Sequence, residues 1–242
     1  MTPLFLDVEA TDLAPKSRLV QLAYKDAATG KFVNEFFKPP ITISFGAMAV
    51  HHITNEMVQG KAEFEESPVK AQLVELLKDR ALVAHNADYD INILKNEGVE
   101  VKSWIDTLRV ARHILESDRY GLQYLRYFLN LRVEGTAHDA AADVAVLEKL
   151  YGRLAEELEQ TLALVDDAAI IEKMVELTNT PVLLKHLQFG KHKGSTFEEV
   201  AKKDNEYLAW LLQSETKKLK HDQDEDLVYT LKQFVPLTWQ NS

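Results

Sequence analysis

"LFLDVEATDL", running from Leu4 to Leu13, sets two acids into an apolar strand. Successive side chains of an extended chain point to opposite faces, so Leu4, Leu6 and Val8 share one face while Phe5, Asp7 and Glu9 share the other. Two carboxylates side by side on one face repel each other. A strand that keeps both calls for something positive between them.

Outward from this strand, "RLVQLAYKDAATGKFVNEFFKP" holds two β-rich runs around Ala-Thr-Gly and reads as a hairpin with a third strand. "FGAMAVHHITNEMV" reads as a short helical or turn segment, "SPVKAQLVELLKD" as a helix and "RALVAHN" as a buried strand. "ADYDINILKNEG" predicts a helix capped by Asn86 and closed by Gly98. "WIDTLRVARHIL" passes from strand to helix at Asp106, its N-cap, and "GLQYLRYFLNL" predicts a further helix. From Asp139, also read as a cap, a long helix carries Leu147, Leu150, Leu154 and Leu158 on one stripe. Three strands followed by alternating helices and strands predict an α/β fold with a mixed sheet flanked by helices over residues 1–158.

Residues 159–180 are acidic, helical and less patterned, and are expected to be a helical connector. Residues 181–242 form a separate, small and mostly helical C-terminal module. Its expected parts are a strand in "LLKHLQF", the glycine-rich basic turn "FGKHKG", a capping box of Ser195 with Glu198, a helix capped by Asp204, and a closing helix in "DEDLVYTLKQFV".

With 242 residues, 46% of them hydrophobic, the chain can bury a sizeable core. No apolar run approaches the roughly 20 residues needed to span a bilayer, and no signal-peptide pattern opens the sequence. The expectation is therefore a cytoplasmic protein with no membrane partner. The absence of cysteine excludes disulfides, thiolate zinc sites and cysteine nucleophiles. A net charge of -10 argues against nucleic acid at first sight. The imbalance lies in the first 180 residues, and two divalent cations held by four of those acids would neutralise the local sign at the site they form.

Two further acids sit where apolar side chains belong. Asp90 shares a helical stripe with Ile93 and Leu94, and Asp143 shares one with Val146, Leu147 and Leu150. An unpartnered carboxylate there costs several kcal/mol or titrates to neutrality. The partner could be a basic side chain, helix N-terminal amides or a metal. No basic residue is placed to serve both helices and the strand pair, and the helix dipole contributes only about 0.3 to 1 kcal/mol. Hard oxygen ligands without cysteine suit Mg²⁺ or Mn²⁺. His138, five residues before Asp143, can reach a metal-held water without being a ligand.

Asp7-Val8-Glu9, then His85-Asn86-Ala87-Asp88-Tyr89-Asp90, then His138 with Asp143 resemble, in order, the three motifs of the DEDDh family of 3′→5′ exonucleases. The resemblance implies a ribonuclease H-like fold and hydrolysis at 3′ ends. It implies two Mg²⁺ ions, for which Mn²⁺ can substitute, held by Asp7, Glu9, Asp90 and Asp143, with His138 as general base. Asp88 and Asp139 fall outside the motif positions. "AMAVHHIT" resembles a family segment that places His51 at the terminal nucleotide, and "FGKHKG" with "FEEVAKKDNEYLAWLL" is similar to the C-terminal module of one family member. Asp12 stands where the family usually has glycine; aspartate tolerates the left-handed conformation, so the turn is expected to survive.

At the edges of the site, Leu13 could wedge between terminal bases or serve as an ordinary core leucine. Thr11 offers a hydroxyl and an amide to the terminal nucleotide or simply forms a turn. Lys191 and Lys193 could grip a phosphate backbone or form a solvated turn. The expected partners are DNA 3′ ends, single-stranded or duplex, in a DNA repair role. RNA ends, a polymerase proofreading role and a silent nucleic-acid-binding scaffold stand as alternatives.

Overall fold

The computed structural model describes residues 1–133, 139–164, 166–220 and 223–236. The chain divides into two compact units, Met1–Thr178 and Asn179–Ser242.

The first unit is built on five strands: β1 (Thr2–Ala10), β2 (Leu19–Asp26), β3 (Phe32–Phe36), β4 (Arg80–Ala84) and β5 (Trp104–Asp106). Their order in the sheet is β3-β2-β1-β4-β5. β1 to β3 form an antiparallel meander, while β4 lies parallel to β1 and β5 parallel to β4. This is the mixed sheet expected from sequence, and the Ala-Thr-Gly turn closes with Gly30 at φ 71°. Helices α1 (Phe45–His51), α2 (Asn55–Val58), α3 (Pro68–Leu76), α4 (Ala87–Asn96), α5 (Thr107–Ile114), α6 (Leu122–Phe128), α7 (Ala140–Leu162) and α8 (Asp167–Asn179) follow or connect the strands.

Alternation along β1 divides the core in two. Leu4, Leu6, Val8 and Ala10 pack with Leu73 of α3 and with Ile93 and Leu94 of α4. Phe5 faces the other way and packs with Val110 of α5 and with Leu147, Leu150 and Leu154 of α7. Asp7 and Glu9 follow Phe5 on that second face, so the same pleat that buries Phe5 aims both acids towards the start of α7. Ile170, Ile171 and Met174 of α8, in the stretch expected to connect the units, are buried in this second core.

The caps show why the helices begin where they do. Asp106 accepts a hydrogen bond from Leu108 N and Asp139 from Ala141 N, both as expected. Asn86 differs: it precedes α4 at φ 68° and makes no side-chain cap bond. Its backbone N–H instead donates to the carboxylate of Asp106 at 2.9 Å, so one aspartate serves the starts of two helices. The turn at Asp12 forms, but without a left-handed residue there. Asp12 is not among the positive-φ residues, and its carboxylate accepts from Leu13 N at 2.7 Å, so the turn needs no left-handed residue.

The second unit contains α9 (Phe197–Lys203), α10 (Asn205–Thr216) and α11 (Glu225–Phe234) around a core of Leu187, Phe197, Leu208, Leu212, Leu227 and Leu231. Two expectations shift here. The strand in "LLKHLQF" is reduced to one antiparallel bridge, His186 with Thr196, because the chain turns into α9 immediately after Thr196. The capping box is made by Thr196 and Glu199, one residue later than Ser195 and Glu198. Ser195 is committed to the turn, its amide donating to His192 O and its carbonyl accepting from Leu187 N.

Candidate active site

Asp7 and Glu9 occupy the C-terminal half of β1, in the middle of the sheet, where they pair with Ala23 and Gln21 of β2. The register shifts between Glu9 and Ala10, an irregularity of the kind that re-aims side chains beside active sites. Asp143, in the first turn of α7, completes a group: one carboxylate oxygen from each of Asp7, Glu9 and Asp143 lies within 4.8 Å of the others. Asp90, in the first turn of α4, is buried and accepts from Val8 N at 3.2 Å, which fixes it beside the same strand. All four acids line one cavity of about 450 Å³.

The electrostatics of this group are one-sided. Desolvation raises the Asp7 carboxyl well above its ordinary value, and Asp90, Asp143, Glu9 and Asp139 push it further the same way. Glu9 is raised to about 8, first by desolvation and then by Asp143, Asp90 and Asp139. Asp90 is also raised to about 8, mainly by desolvation, with its backbone hydrogen bonds opposing the shift. Among the described residues no lysine, arginine or histidine forms an ion pair with Asp7, Glu9 or Asp90. Carboxylates converging on a rigid strand and two helix starts make a donor set of hard oxygens that fits a divalent cation.

The edges of the cavity sort the other expected residues. Leu13 lines it and is 84% exposed, so it is a rim residue and not a core leucine. His51 also lines it but is buried, with Nε2 donating to Ala10 O and Nδ1 accepting from Ile53 N. That ring ties α1 to the end of β1. Thr11 is buried beside the site and spends its polar groups locally: its amide donates to Arg18 O and its hydroxyl accepts from Arg18 N. Lys191 and Lys193 belong to the second unit, where Lys191 Nζ lies 2.6 Å from Asp204. His138 lies outside the described residues.

Three residues that the sequence did not mark as site residues lie at the site, one of them bonded to an acid. Gln123 of α6 donates from Nε2 to Asp143, and its own carbonyl oxygen accepts from Arg126 at 3.1 Å. No spacing rule signals a lone amide on one helix that meets an acid on another. His85 lines the cavity, with its ring nitrogens against Thr107 Oγ1 and Tyr120 O, and desolvation lowers it to about 4, which keeps it neutral. Tyr89, also lining the cavity, donates to Asp12 O.

Comparison with known proteins agrees with this geometry. Residues 4–151 match the Exonuclease family (RNase_T), and residues 187–215 match the Exodeoxyribonuclease X-like C-terminal family. The chain is 30% identical over 217 residues to exodeoxyribonuclease 10 of Escherichia coli strain K12, covering 85% of this chain and 88% of that protein. It is 27% identical over 188 residues to the DNA polymerase III subunit epsilon of Rickettsia conorii, covering 71% of this chain and 81% of that one. Among solved structures it is similar to exonuclease X in complex with 5′ overhanging duplex DNA, with a TM-score of 0.55 and 25% identity, covering 73% of this chain and 99% of that chain. The fold also matches Escherichia coli exonuclease I in complex with a dA16 oligonucleotide, with a TM-score of 0.53 and 20% identity, covering 71% of this chain and 42% of that chain. No described helix is long and apolar enough to cross a membrane. With a cluster of acids at its centre and a family match across more than half of its length, the chain belongs to the exonuclease family.

Proposed function

We propose that this exonuclease acts on DNA in the 3′→5′ direction, releasing nucleoside monophosphates in a repair role. The observation that carries the reading is the convergence of Asp7, Glu9 and Asp143 within 4.8 Å, with Asp90 beside them and no base to pair with Asp7, Glu9 or Asp90 among the described residues. Asp7, Glu9, Asp90 and Asp143 would hold two divalent cations, Mg²⁺ with Mn²⁺ as a substitute. Such ions, when bound, supply the positive charge that activates water and stabilises a leaving 3′ oxygen.

The rest of the chemistry falls to the chain itself. β1 and the first turns of α4 and α7 fix the acids, so little reorganisation is needed when a phosphodiester arrives. Gln123 orients Asp143 through its amide. Exposed Leu13 and the neighbouring side chains of the cavity rim meet the terminal bases and hold the 3′ end in place. His138 takes the proton of the attacking water, a contribution of about 10²-fold to 10⁴-fold. The similarity to exodeoxyribonuclease 10 along both units supports an autonomous enzyme over a proofreading subunit.

The test is digestion of matched 5′-labelled single-stranded DNA, duplex DNA and RNA with Mg²⁺ or with EDTA. The expected result is a ladder shortening from the 3′ end of DNA only when metal is present. Ladders in EDTA, or degradation of RNA alone, would overturn the proposal.

A further inference from the structure

The second unit carries a surface that the active site does not use. Trp210 on α10 is 59% exposed. Its ring lies 5.7 Å from that of Tyr207 at an interplanar angle of 32°. Tyr207 is in turn the platform on which the basic turn is built. Lys191 Nζ sits 4.9 Å over its ring, and the His192 ring meets it edge-on at 5.0 Å. Gly190 approaches so closely, at φ 72°, that a Cβ there would fall 2.1 Å from the tyrosine oxygen. The glycine is what lets the turn lie against the aromatic pair.

Charge adds a second, independent observation. From Lys185 to Asp204 the sequence holds five lysines against three acids. Asp204 accepts from Lys191 and His192, so that pair removes one charge of each sign and leaves the excess of lysine unchanged, while Glu199 accepts from Thr196 N in the capping box. The Asp204 contact aims the Lys191 ammonium across the aromatic surface, and Lys193 two residues on is exposed. An exposed indole beside a tyrosine carrying lysine combines a flat π-face for a base with cations for the adjoining phosphates.

We infer that Trp210 and Tyr207, with Lys191 and Lys193, form an accessory site for single-stranded DNA, on which unpaired bases stack. Duplex DNA hides its base faces and gains only the phosphate contacts there. The choice of DNA rests on the proposed function; the stacking site itself does not.

The test uses the full chain in EDTA, where hydrolysis is blocked, and measures binding of fluorescent dT20 and of a blunt hairpin duplex to unaltered protein, Trp210→Ala, Trp210→Phe and Lys191→Ala/Lys193→Ala. Trp210→Ala should weaken dT20 binding at least about fivefold while leaving the duplex unchanged, and Trp210→Phe should recover most of the loss. The double lysine variant should flatten the salt dependence for both ligands. Equal dT20 affinity for Trp210→Ala and unaltered protein, or equal weakening of dT20 and duplex, overturns the site. Metal-dependent hydrolysis of thymidine 5′-monophosphate p-nitrophenyl ester by the unaltered chain tests the active-site reading separately. A chain that binds dT20 through Trp210 but does not hydrolyse the ester keeps this inference and loses the previous one.

Discussion

Replacing Asp7 with asparagine should make the metal-free protein more stable while abolishing its response to metal. In the structure Asp7 shares a 4.8 Å neighbourhood with Glu9 and Asp143. Two like charges at that distance repel by about 1 kcal/mol in a water-like dielectric and by about 3.5 kcal/mol at an effective dielectric of about 20. Desolvation, the largest cause of the shift, together with these neighbours costs the folded state at least about 2 kcal/mol when Asp7 is ionised. The cost also has a ceiling, because the group can take up a proton instead.

That ceiling depends on pH. The carboxyl is raised from an ordinary value of 3.8, so taking a proton costs about 1.36 kcal/mol for each pH unit above that value. The ceiling is then about 6 kcal/mol at pH 8 and below about 2 kcal/mol at pH 5. The sign follows from the direction of the shift: a raised carboxyl favours folding below its unfolded pKa, and that contribution is lost as pH climbs through the folded value. Asp7→Asn should therefore stabilise the metal-free chain by about 2 to 6 kcal/mol at pH 8 and by less than about 2 kcal/mol at pH 5. Thermal unfolding in EDTA at the two pH values reads this directly, at about 2 to 4 °C per kcal/mol for a chain of this size. Added Mg²⁺ should raise the melting temperature of the unaltered protein and leave that of the variant in place. A variant no more stable than the parent at pH 8 would refute the idea that these carboxylates are held together against their own repulsion.

Other consequences follow from the same geometry. Metal affinity should rise at least about tenfold per pH unit below 7 and level off above about 8, where Glu9 and Asp90 titrate; calorimetry showing equal Mn²⁺ affinity at pH 6 and pH 8 contradicts it. His138→Ala should bind Mn²⁺ normally and lose about 10²-fold to 10⁴-fold in turnover, and a near-normal rate would remove the histidine from the mechanism. Gln123→Ala strips Asp143 of its amide donor and should weaken Mn²⁺ binding about 10-fold to 100-fold; an unchanged titration would show that the contact does not orient the acid. Gly190→Ala forces a side chain into a left-handed turn against Tyr207 and should cost the second unit at least about 1 kcal/mol, visible as a lower urea midpoint in tryptophan fluorescence.

The parts legible in sequence were those written by short-range periodicity. The alternation of Leu4, Phe5, Leu6 and Asp7 announced the two faces of β1, and the stripe from Asp143 to Leu158 announced α7 with its acid turned inward. Asp106 and Asp139 were readable as caps because each offers a short acceptor immediately before a helical pattern. What escaped depends on contacts between distant segments. Gln123 acquires its role only when α6 meets α7, and Asp106 reaches the backbone N–H of Asn86 only because β4 and β5 are neighbours. Thr11 follows the motif directly and His51 was marked by the resemblance of "AMAVHHIT"; their hydrogen bonds to Arg18, Ala10 and Ile53 join distant segments and could not be read from spacing. The slip from Ser195 to Thr196 has a local cause: "STFEE" satisfies the capping-box spacing in two frames, and closure of the preceding turn selects one.

Diffraction at the manganese edge from crystals grown with Mn²⁺ and deoxythymidine monophosphate tests the central claim most directly. The account predicts anomalous peaks about 2.2 Å from carboxylate oxygens of Asp7, Glu9, Asp90 and Asp143, with the nucleotide phosphate against them. Manganese bound elsewhere, with those four acids paired to lysine or arginine side chains, would contradict it.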